Sequence, residues 1–304
     1  MMLKDIGEIG FIEHLARKAR YDRSVIKGIG DDTAVIRWTK DKYLLYTCDI
    51  SIEDVHFRLN KDATPYQIGW KALGRNISDI AAMGGVPRYA VVSAGINPGM
   101  PVSFADGIYK GIKELAKKFR VNIVGGDTSR SDKLVVDVSL IGEVEKNNLV
   151  LRTGAKKGDV ILVTGAIGGS LKGRHLDFVP RLAEARTLVK NYKINSMIDV
   201  SDGLVLDLWR ILDASGAGAR IYESLVPVSK DAVSFEKAVT DGEDFELLFT
   251  MSPREAKRLF KYWFDKMETP VTLIGEVLDK KAGYRLVTED GKEKKLRAKG
   301  YLHF

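Results

Sequence analysis

The stretch TPYQIGWKALGRNISDIAAMGG, from Thr64 to Gly85, carries the clearest helix pattern in the chain. Thr64 is a typical N-cap residue, and Pro65 fits the first helical position, where no backbone N–H is needed. Apolar residues then recur at helical spacing, at Ile68, Ala72, Leu73, Ile77 and Ile80. A glycine pair ends the pattern. The pattern predicts one helix, with Asn76 and Asp79 three residues apart on a shared face.

Strand patterns surround this helix and a second one predicted from about Ser103 to Phe119. Three segments rich in β-branched residues are predicted to be strands: RYAVVSAG (88–95), VNIVGG (121–126) and KLVVDVSLIGEV (133–144). The alternation restarts after Asn147 with DVILVTG (159–165), helices at about 180–192 and 202–214, the strands EDFELLFTM (243–251) and VTLIGEVL (271–278), and a helix in SPREAKRLFKYWF (252–264). We expect an α+β protein of two α+β domains, 1–146 and 147–304, with the active site in the cleft between them.

Composition excludes several classes of protein. The chain has 304 residues, and none of its apolar runs approaches the roughly 20 residues that span a bilayer. Its N-terminus is acidic where a signal peptide would be basic, so the cytoplasm is the expected compartment and no membrane partner is expected. One cysteine and four histidines argue against a disulfide framework or a zinc cluster. Any bound metal should have oxygen ligands.

The net charge of +7 fits two kinds of partner, nucleic acids and anionic small molecules. No compact basic motif is present, and much of the positive charge lies near the C-terminus in a segment typical of a solvated edge hairpin. Small anionic ligands are therefore favoured, and no nucleic-acid partner is expected.

Aspartates recur where predicted elements end at small residues. They lie in GIGDDTAV, YTCDIS, NISDIAAMGG, IVGGDTS and MIDVSDGL, as Asp31, Asp32, Asp49, Asp79, Asp127, Asp199 and Asp202. Each alone has a structural explanation as a turn former or helix cap, with Ser201 a natural N-cap for the helix that follows. Together they are typical of a site that holds Mg²⁺ against phosphates, because Mg²⁺ prefers carboxylate oxygens and glycines allow a ligand to approach the backbone.

The familiar nucleotide-binding motifs are absent. The chain has no GxxxxGK[ST] sequence, and GIGDDT lacks the final glycine of GxGxxG. TGAIGGS (164–170) fits either a phosphate-binding turn or a tight connection after the strand before it.

The ordered series of motifs resembles the thiamine-monophosphate kinase family, within the ATP-binding superfamily of aminoimidazole ribonucleotide synthetase and selenophosphate synthetase. The series is GIGDD, T-x-D at 47–49 followed by VHF at 55–57, NISDIAAMGG, GGDT, DVSDGL and GEDFELLF. It extends over nearly the whole chain. The resemblance implies that thiamine monophosphate is phosphorylated by ATP to thiamine diphosphate, with several Mg²⁺ ions, in a homodimer whose N-terminal sheets pair.

The resemblance also assigns roles by motif. It implies metal ligands at Asp31, Thr47, Asp49, Asp79, Asp127, Asp199 and Asp202, of which Asp31, Asp49, Asp79, Asp127 and Asp202 would also be catalytic. It implies ATP contacts at Asp31, Tyr109, Gly126, Asp127, Arg152 and Ser201. It implies contacts to the thiamine substrate at His56, Glu243 and either Tyr301 or Phe304. Asp32, Asp54 and Asp241 are left outside the metal set. Asp54 and Asp241 each replace a Gly that is usual in the family, and Cys48 replaces a Thr.

Phosphoryl transfer to a phosphate group does not require a general base. A phosphomonoester has its second pKa at about 6, so the attacking oxygen is already ionised near neutral pH. This suits a site with many carboxylates and few histidines, and it predicts direct in-line transfer of the γ-phosphate of ATP. Two alternatives stay open: a ring-closing synthetase that acts through a phosphorylated intermediate, and a non-catalytic nucleotide- or nucleic-acid-binding protein.

Overall fold

The computed structural model describes residues 2–59 and 61–304. Its helices are α1 (Leu3–Lys18), α2 (Pro65–Ala82), α3 (Val102–Phe119), α4 (Leu182–Asn191), α5 (Leu204–Ser215), α6 (Phe235–Thr240) and α7 (Pro253–Tyr262). Its strands are β1 (Val25–Lys27), β2 (Ala34–Arg37), β3 (Lys42–Ile52), β4 (Val86–Ile96), β5 (Asn122–Arg130), β6 (Val135–Glu145), β7 (Val160–Thr164), β8 (Ser196–Asp199), β9 (Ala217–Tyr222), β10 (Leu247–Met251), β11 (Val271–Asp279), β12 (Tyr284–Val287) and β13 (Glu293–Lys295).

The first sheet has six strands in the order β1-β2-β3-β6-β4-β5. Its pairs are antiparallel except β4 with β5, which run parallel and are joined through α3. Apolar residues of α2 and α3 pack with inward residues of β3 and β6 into one core. The mixed sheet covered by helices confirms the α+β class predicted from the sequence.

Helix α2 begins and ends as its sequence predicts. The Thr64 hydroxyl accepts from the Gln67 backbone N–H, and the Gln67 side chain accepts from the Thr64 N–H, which forms a capping box. At the other end, Gly84 has φ +72, in the left-handed region that glycine adopts without strain.

Two glycines allow α2 and α3 to cross backbone against backbone. A Cβ atom at Gly69 would lie 1.9 Å from the Ile108 carbonyl oxygen, and one at Gly111 would lie 1.9 Å from that of Tyr66. Any larger residue at either position would push the helices apart. The close crossing fixes the position of α2, which carries Asp79.

The second sheet has seven strands in the order β13-β12-β9-β11-β7-β10-β8. The lysine-rich β13 pairs antiparallel with β12 at the sheet edge, which fits the hairpin expected there. Ala81 and Ala82, at the end of α2, lie in a core that otherwise belongs to this second half. The C-terminal end of α2 therefore joins the two halves, while the predicted boundary near residue 146 stays a prediction.

Three local features differ from the sequence-based expectations. Helix α1 was not predicted, because none of its residues is buried and no apolar stripe is present. Ser201 is not an N-cap: Gly203 takes that position without a side-chain cap, and the Asp207 carboxylate accepts from the Asp202 and Gly203 backbone N–H groups. The strand predicted from residue 243 begins only at Leu247.

Among the residues that the structure describes, no helix combines the length and the hydropathy needed to cross a bilayer.

Candidate active site

A cavity of about 830 Å³ lies between the two halves of the molecule. Most of the predicted site residues line it: Asp31, Thr47, Asp49, His56, Asp79, Arg152, Asp199, Ser201, Asp202, Glu243 and Tyr301. The lining also includes Asp32, Lys71, Arg75, His175, Arg210 and His303, to which the sequence analysis gave no role.

Three carboxylates from separate elements meet at one end of the cavity. Asp32 comes from the loop between β1 and β2, Asp79 from α2 and Asp199 from the end of β8, and one oxygen of each lies within 4.8 Å of the others. We call these three residues the carboxylate cluster. Two hydroxyl groups orient it: Thr47 Oγ1 donates to Asp79 at 2.5 Å, and Ser78 Oγ donates to Asp199 at 2.5 Å across the two halves.

The cluster concentrates negative charge in a buried place. Burial raises the pKa of the Asp79 carboxyl well above its usual range, and the neighbouring Asp49, Asp199 and Asp32 raise it further. Burial and the Asp32 charge likewise raise the pKa of Asp199 well above that range. Asp31, at the cluster's edge, has its pKa raised to about 6 by burial and then by Asp32. An arrangement of this kind requires either protons or a cation.

The donor set fits Mg²⁺. Every member offers carboxylate oxygen, the ligand type that a hard divalent cation prefers. Asp32 Oδ2 is buried, and no other described residue makes a hydrogen bond to it. A buried carboxylate oxygen without a hydrogen-bond donor is costly, and a metal ion would satisfy it.

The other predicted acids around the cluster have protein partners. Asp31 accepts from the Arg152 backbone N–H at 3.2 Å, and the Arg152 side chain instead pairs with Asp32 at 2.7 Å. Asp49 pairs with Arg75 at 3.0 Å, and Asp202 pairs with Arg210 at 2.6 Å. The motif GIGDD signalled the right loop, but it did not show that Asp32 is the residue whose oxygen lies with Asp79 and Asp199.

At the other end of the cavity, the charged side chains form ion pairs with one another. Lys71 is 1% exposed, and its Nζ lies 2.6 Å from Glu243 Oε2 and 2.9 Å from His175 Nδ1, while it donates to the His56 carbonyl oxygen at 2.8 Å. We call His56, Lys71, His175 and Glu243 the paired end. Burial alone would raise the pKa of Glu243, yet Lys71, with His175 and Arg75, lowers it to about 2.

The two predicted substrate residues at the paired end are thus fixed in position and charge. Burial, with a smaller effect of Arg75, lowers the pKa of His56 to about 4. The His56 Nδ1 atom accepts from the Ile52 backbone N–H at 3.1 Å, which places the remaining ring proton of the neutral form on Nε2. Glu243 is ionised and His56 is neutral near pH 7.

The C-terminal tail places one of its two candidate aromatics in the cavity. Tyr301 lines the cavity, and its backbone N–H donates to the Asp202 carbonyl oxygen at 2.9 Å. Phe304 packs instead against Phe11 of α1, with ring centroids 6.3 Å apart. Between them, His303 has its ring centroid 5.2 Å from that of His56, a contact that no sequence motif had marked.

Three of the residues predicted to bind ATP or metal lie elsewhere. Tyr109, Gly126 and Asp127 are exposed and line a second, more apolar cavity of about 510 Å³ beside α3 and the edge strand β5. The structure therefore divides the predicted ATP residues between two cavities, with Asp31, Arg152 and Ser201 in the first. Gly126 also has a packing reason, since a Cβ atom there would lie 1.8 Å from the Val92 carbonyl oxygen of β4.

Two sequence features find structural explanations. Gly168, in the TGAIGGS loop, donates its backbone N–H to the Asp244 carboxylate at 3.0 Å, and a Cβ atom there would lie 2.4 Å from Ala238. Packing thus explains this glycine, and the amide already has an anionic partner. Asp54, at a usual glycine position of the family, has φ +65, the backbone conformation that glycine adopts most readily.

Comparisons with known proteins match this chain along nearly its whole length. The family model for the AIR synthase related protein N-terminal domain matches residues 30–144, and that for its C-terminal domain matches residues 169–287. The thiamine-monophosphate kinase of Bacillus subtilis (strain 168) is 37% identical, with 98% of this chain and 100% of the relative covered. That of Pyrococcus horikoshii is 34% identical, with 90% of each chain covered.

Solved structures agree with the sequence comparison. The structure described as AaThiL complexed with AMPPCP and TMP is 31% identical, with a TM-score of 0.85 over 100% of this chain and 99% of that one. Thiamine-monophosphate kinase from Aquifex aeolicus gives a TM-score of 0.78 at 28% identity, over 97% of this chain and 100% of that one. With relatives above 30% identity over their full length, this chain belongs to the thiamine-monophosphate kinase family.

Proposed function

We propose that this protein phosphorylates thiamine monophosphate with ATP, giving thiamine diphosphate and ADP. An oxygen of the acceptor phosphate attacks the γ-phosphorus of ATP in line, and the bond between that phosphorus and the β,γ-bridging oxygen breaks. The observation that carries the proposal is the pairing, in one cavity, of a carboxylate cluster that needs a cation with an end whose charges are already balanced.

The named relatives support the substrates. The solved structure with a TM-score of 0.85 is described as a complex with AMPPCP, an ATP analogue, and with TMP, the acceptor. Full-length relatives from bacteria and an archaeon have the kinase name. ATP is therefore the proposed co-substrate, thiamine monophosphate the proposed acceptor, and thiamine diphosphate synthesis in the cytoplasm the proposed setting.

The proposed metal is Mg²⁺, in several copies. The residues that would hold it are the carboxylate cluster together with Asp31, Asp49 and Asp202, and Thr47 would orient Asp79 through its hydroxyl. When bound, Mg²⁺ would neutralise the phosphate oxygens whose repulsion otherwise opposes the reaction.

The chain's own side chains would do the rest by positioning. Arg152, fixed against Asp32, places a guanidinium in the cavity where ATP phosphates would bind. The neutral His56, the ionised Glu243 and the Tyr301 ring would hold the thiamine moiety, whose thiazolium ring carries a positive charge that suits a carboxylate. No residue is needed as a general base, because the acceptor phosphate is already ionised.

A homodimer is part of the proposal. Large apolar side chains of the first sheet are exposed on the two strands that flank β6: Tyr46 and Ile50 of β3, and Tyr89 and Val91 of β4. Exposed apolar groups of this kind favour an interface. Sheet pairing would also explain the position of Asp127, because a carboxylate on an exposed edge strand is accessible to a second copy.

One incubation tests the function and its alternatives. The protein is mixed with ATP, Mg²⁺ and thiamine monophosphate, and thiamine diphosphate, ADP and free phosphate are measured by chromatography. The kinase yields thiamine diphosphate and ADP in equal amounts with little free phosphate, whereas a ring-closing synthetase, whose own acceptor is missing from this mixture, would form no thiamine diphosphate. A folded protein that binds ATP but forms no thiamine diphosphate would overturn the proposal. Light scattering at several concentrations tests the dimer, and a monomer throughout would exclude it.

A further inference from the structure

We infer that Arg75 binds the phosphate of the acceptor and so distinguishes a phosphorylated substrate from an unphosphorylated one. The inference rests on the proposed function and names a residue that no family motif assigned.

Arg75 lies between the two ends of the cavity. Lys71, Arg75 and Asp79 are spaced four residues apart on α2, and all three line the cavity. Four helical residues rise about 6 Å, so Arg75 stands about 6 Å along the axis from each of the other two. Lys71 belongs to the paired end and Asp79 to the carboxylate cluster.

The acceptor phosphate must lie in this same interval. In the proposed reaction the thiamine moiety binds near His56 and Glu243, and the γ-phosphate of ATP binds near the carboxylate cluster. The phosphate of thiamine monophosphate is the group that joins them, because one of its oxygens attacks the γ-phosphorus. A dianion placed next to carboxylates requires a cation.

The other cations of the cavity are already committed. Lys71 is 1% exposed and pairs with Glu243. Arg210 pairs with two carboxylates, Asp202 and Asp207, each at 2.6 Å. Arg152 is held against Asp32 at 2.7 Å, on the side of the cavity assigned to ATP. Arg58 is 58% exposed and forms its ion pair with Asp62.

Arg75 also has a carboxylate partner, but it lies in the interval between the two ends of the cavity. Its side chain is 15% exposed, and its one carboxylate partner in the salt bridges of the described residues is Asp49, at 3.0 Å. Its Nη1 atom donates to the Ile50 carbonyl oxygen at 2.9 Å, which fixes the plane of the guanidinium group. A guanidinium fork fixed in this way can give two parallel N–H donors to a phosphate, which a lysine ammonium cannot do.

Binding measurements with and without the phosphate group test the inference. Calorimetric titrations use thiamine monophosphate and unphosphorylated thiamine as ligands of the full chain, with wild-type protein and Arg75→Gln. We expect Arg75→Gln to weaken thiamine monophosphate binding by about 10- to 100-fold, the usual effect of losing charge-assisted hydrogen bonds, and to leave thiamine binding unchanged.

Arg186→Gln is the matched control. Arg186 is also partly buried, with its side chain 12% exposed, and it also pairs with a carboxylate, Glu145 at 2.8 Å, and donates to a backbone carbonyl, that of Gly84. It lies outside the residues that line the cavity. Its removal should change neither ligand's affinity, although the two variants lose similar contacts.

The outcomes are distinct. Unchanged affinity of Arg75→Gln for thiamine monophosphate, or an equal loss for both ligands, overturns the inference. If Arg75→Gln fails to fold, Arg75→Lys is measured instead, because it keeps the charge but not the two parallel donors. A loss of affinity confined to thiamine monophosphate then supports the inference, and unchanged affinity for thiamine monophosphate overturns it. Wild-type protein that forms no thiamine diphosphate overturns the proposed function instead. An active wild type whose discrimination survives in the Arg75 variant overturns only the role of Arg75.

Discussion

The two ends of the cavity solve opposite electrostatic problems with the same kinds of residue. The carboxylate cluster gathers Asp32, Asp79 and Asp199 with few compensating cations, and each of their pKa values is raised, first by burial. The paired end buries Lys71 against Glu243, and the pKa of Glu243 falls to about 2 because of that pairing, in spite of its burial. The cluster is therefore prepared for a ligand that supplies charge, whereas the paired end is complete before a ligand arrives.

This difference separates stability from function. At the paired end Lys71 and Glu243 compensate each other, so removing one leaves the other buried and unpaired and should lower the free energy of unfolding. In the cluster the charges oppose folding in the absence of metal, so their removal should cost activity but little stability. The paired end and the carboxylate cluster can therefore be tested separately.

The largest effect is expected for Asp79→Asn. The amide keeps the shape of the side chain but removes a charged ligand, so turnover should fall by roughly 10²- to 10³-fold, the usual effect of losing one strong electrostatic contact in a reaction centre. The metal-free variant should be at least as stable as the wild type, because one member of a repelling group has lost its charge. Steady-state kinetics and urea denaturation without metal measure the two quantities.

Asp159→Asn is the control for that experiment. Asp159 is also buried, but it accepts hydrogen bonds from Asn195 and from the Lys156 backbone N–H, away from the residues that line the cavity. This variant should lose about 1 kcal/mol of stability and retain its turnover. Near-normal turnover of Asp79→Asn would remove Asp79 from the metal set.

Lys71→Met should give the largest loss of stability. The substitution leaves Glu243 buried without its main cation, which costs about 3 kcal/mol, and it releases the His56 carbonyl oxygen. The KM for thiamine monophosphate should rise more than that for ATP, because both predicted substrate residues lose a fixed neighbour. Lys42→Met, which removes a more exposed ion pair with Glu143, should cost less than about 1 kcal/mol. Equal losses in the two variants would contradict the contrast between the ends.

Mg²⁺ should stabilise the wild-type protein by mass action. A cation bound to the folded state at 100 times its Kd adds about 2.7 kcal/mol, which for a chain of this size raises Tm by several degrees. Thermal melting with Mg²⁺, and again after chelation, measures the shift. Asp79→Asn should reduce it. An equal shift in the variant would place the cation elsewhere.

Much of this contrast was readable in the sequence, and its limits are physical. The bounds of α2 followed from its cap and apolar spacing, and the acids at element ends marked the cavity, since such local signals persist in the fold. The choice between the adjacent Asp31 and Asp32 was not readable, because an irregular loop has no periodicity that gives side-chain direction. Asp127 has the motif but lies on another cavity, because position in a motif does not specify distance across a sheet.

Lys71 and Arg75 show a different limit. Their spacing from Asp79 was visible as a repeat of four residues along α2, but charged residues on a helix are usually read as its solvent face. The second half of the chain covers that face, so both residues are buried or nearly so. Such long-range burial depends on how the two halves pack, which local patterns do not encode.

The smallest effect concerns the pH dependence of stability at the paired end. Burial, then Arg75, lowers the pKa of His56 to about 4 in the folded protein, against about 6.5 for an unfolded chain. Between these values the unfolded chain binds the extra proton, so the free energy of unfolding falls as the pH drops from 6.5 towards 4. His56→Gln retains an acceptor for the Ile52 N–H but has no ring to protonate, so its stability should fall less steeply in that range. Urea denaturation of the metal-free protein at intervals from pH 4.5 to 7 measures the slope, with His14→Gln, on the exposed surface of α1, as control. If His56→Gln and the wild type have the same slope, His56 binds its proton equally well in the folded and the unfolded chain, which contradicts a pKa lowered by burial at the paired end.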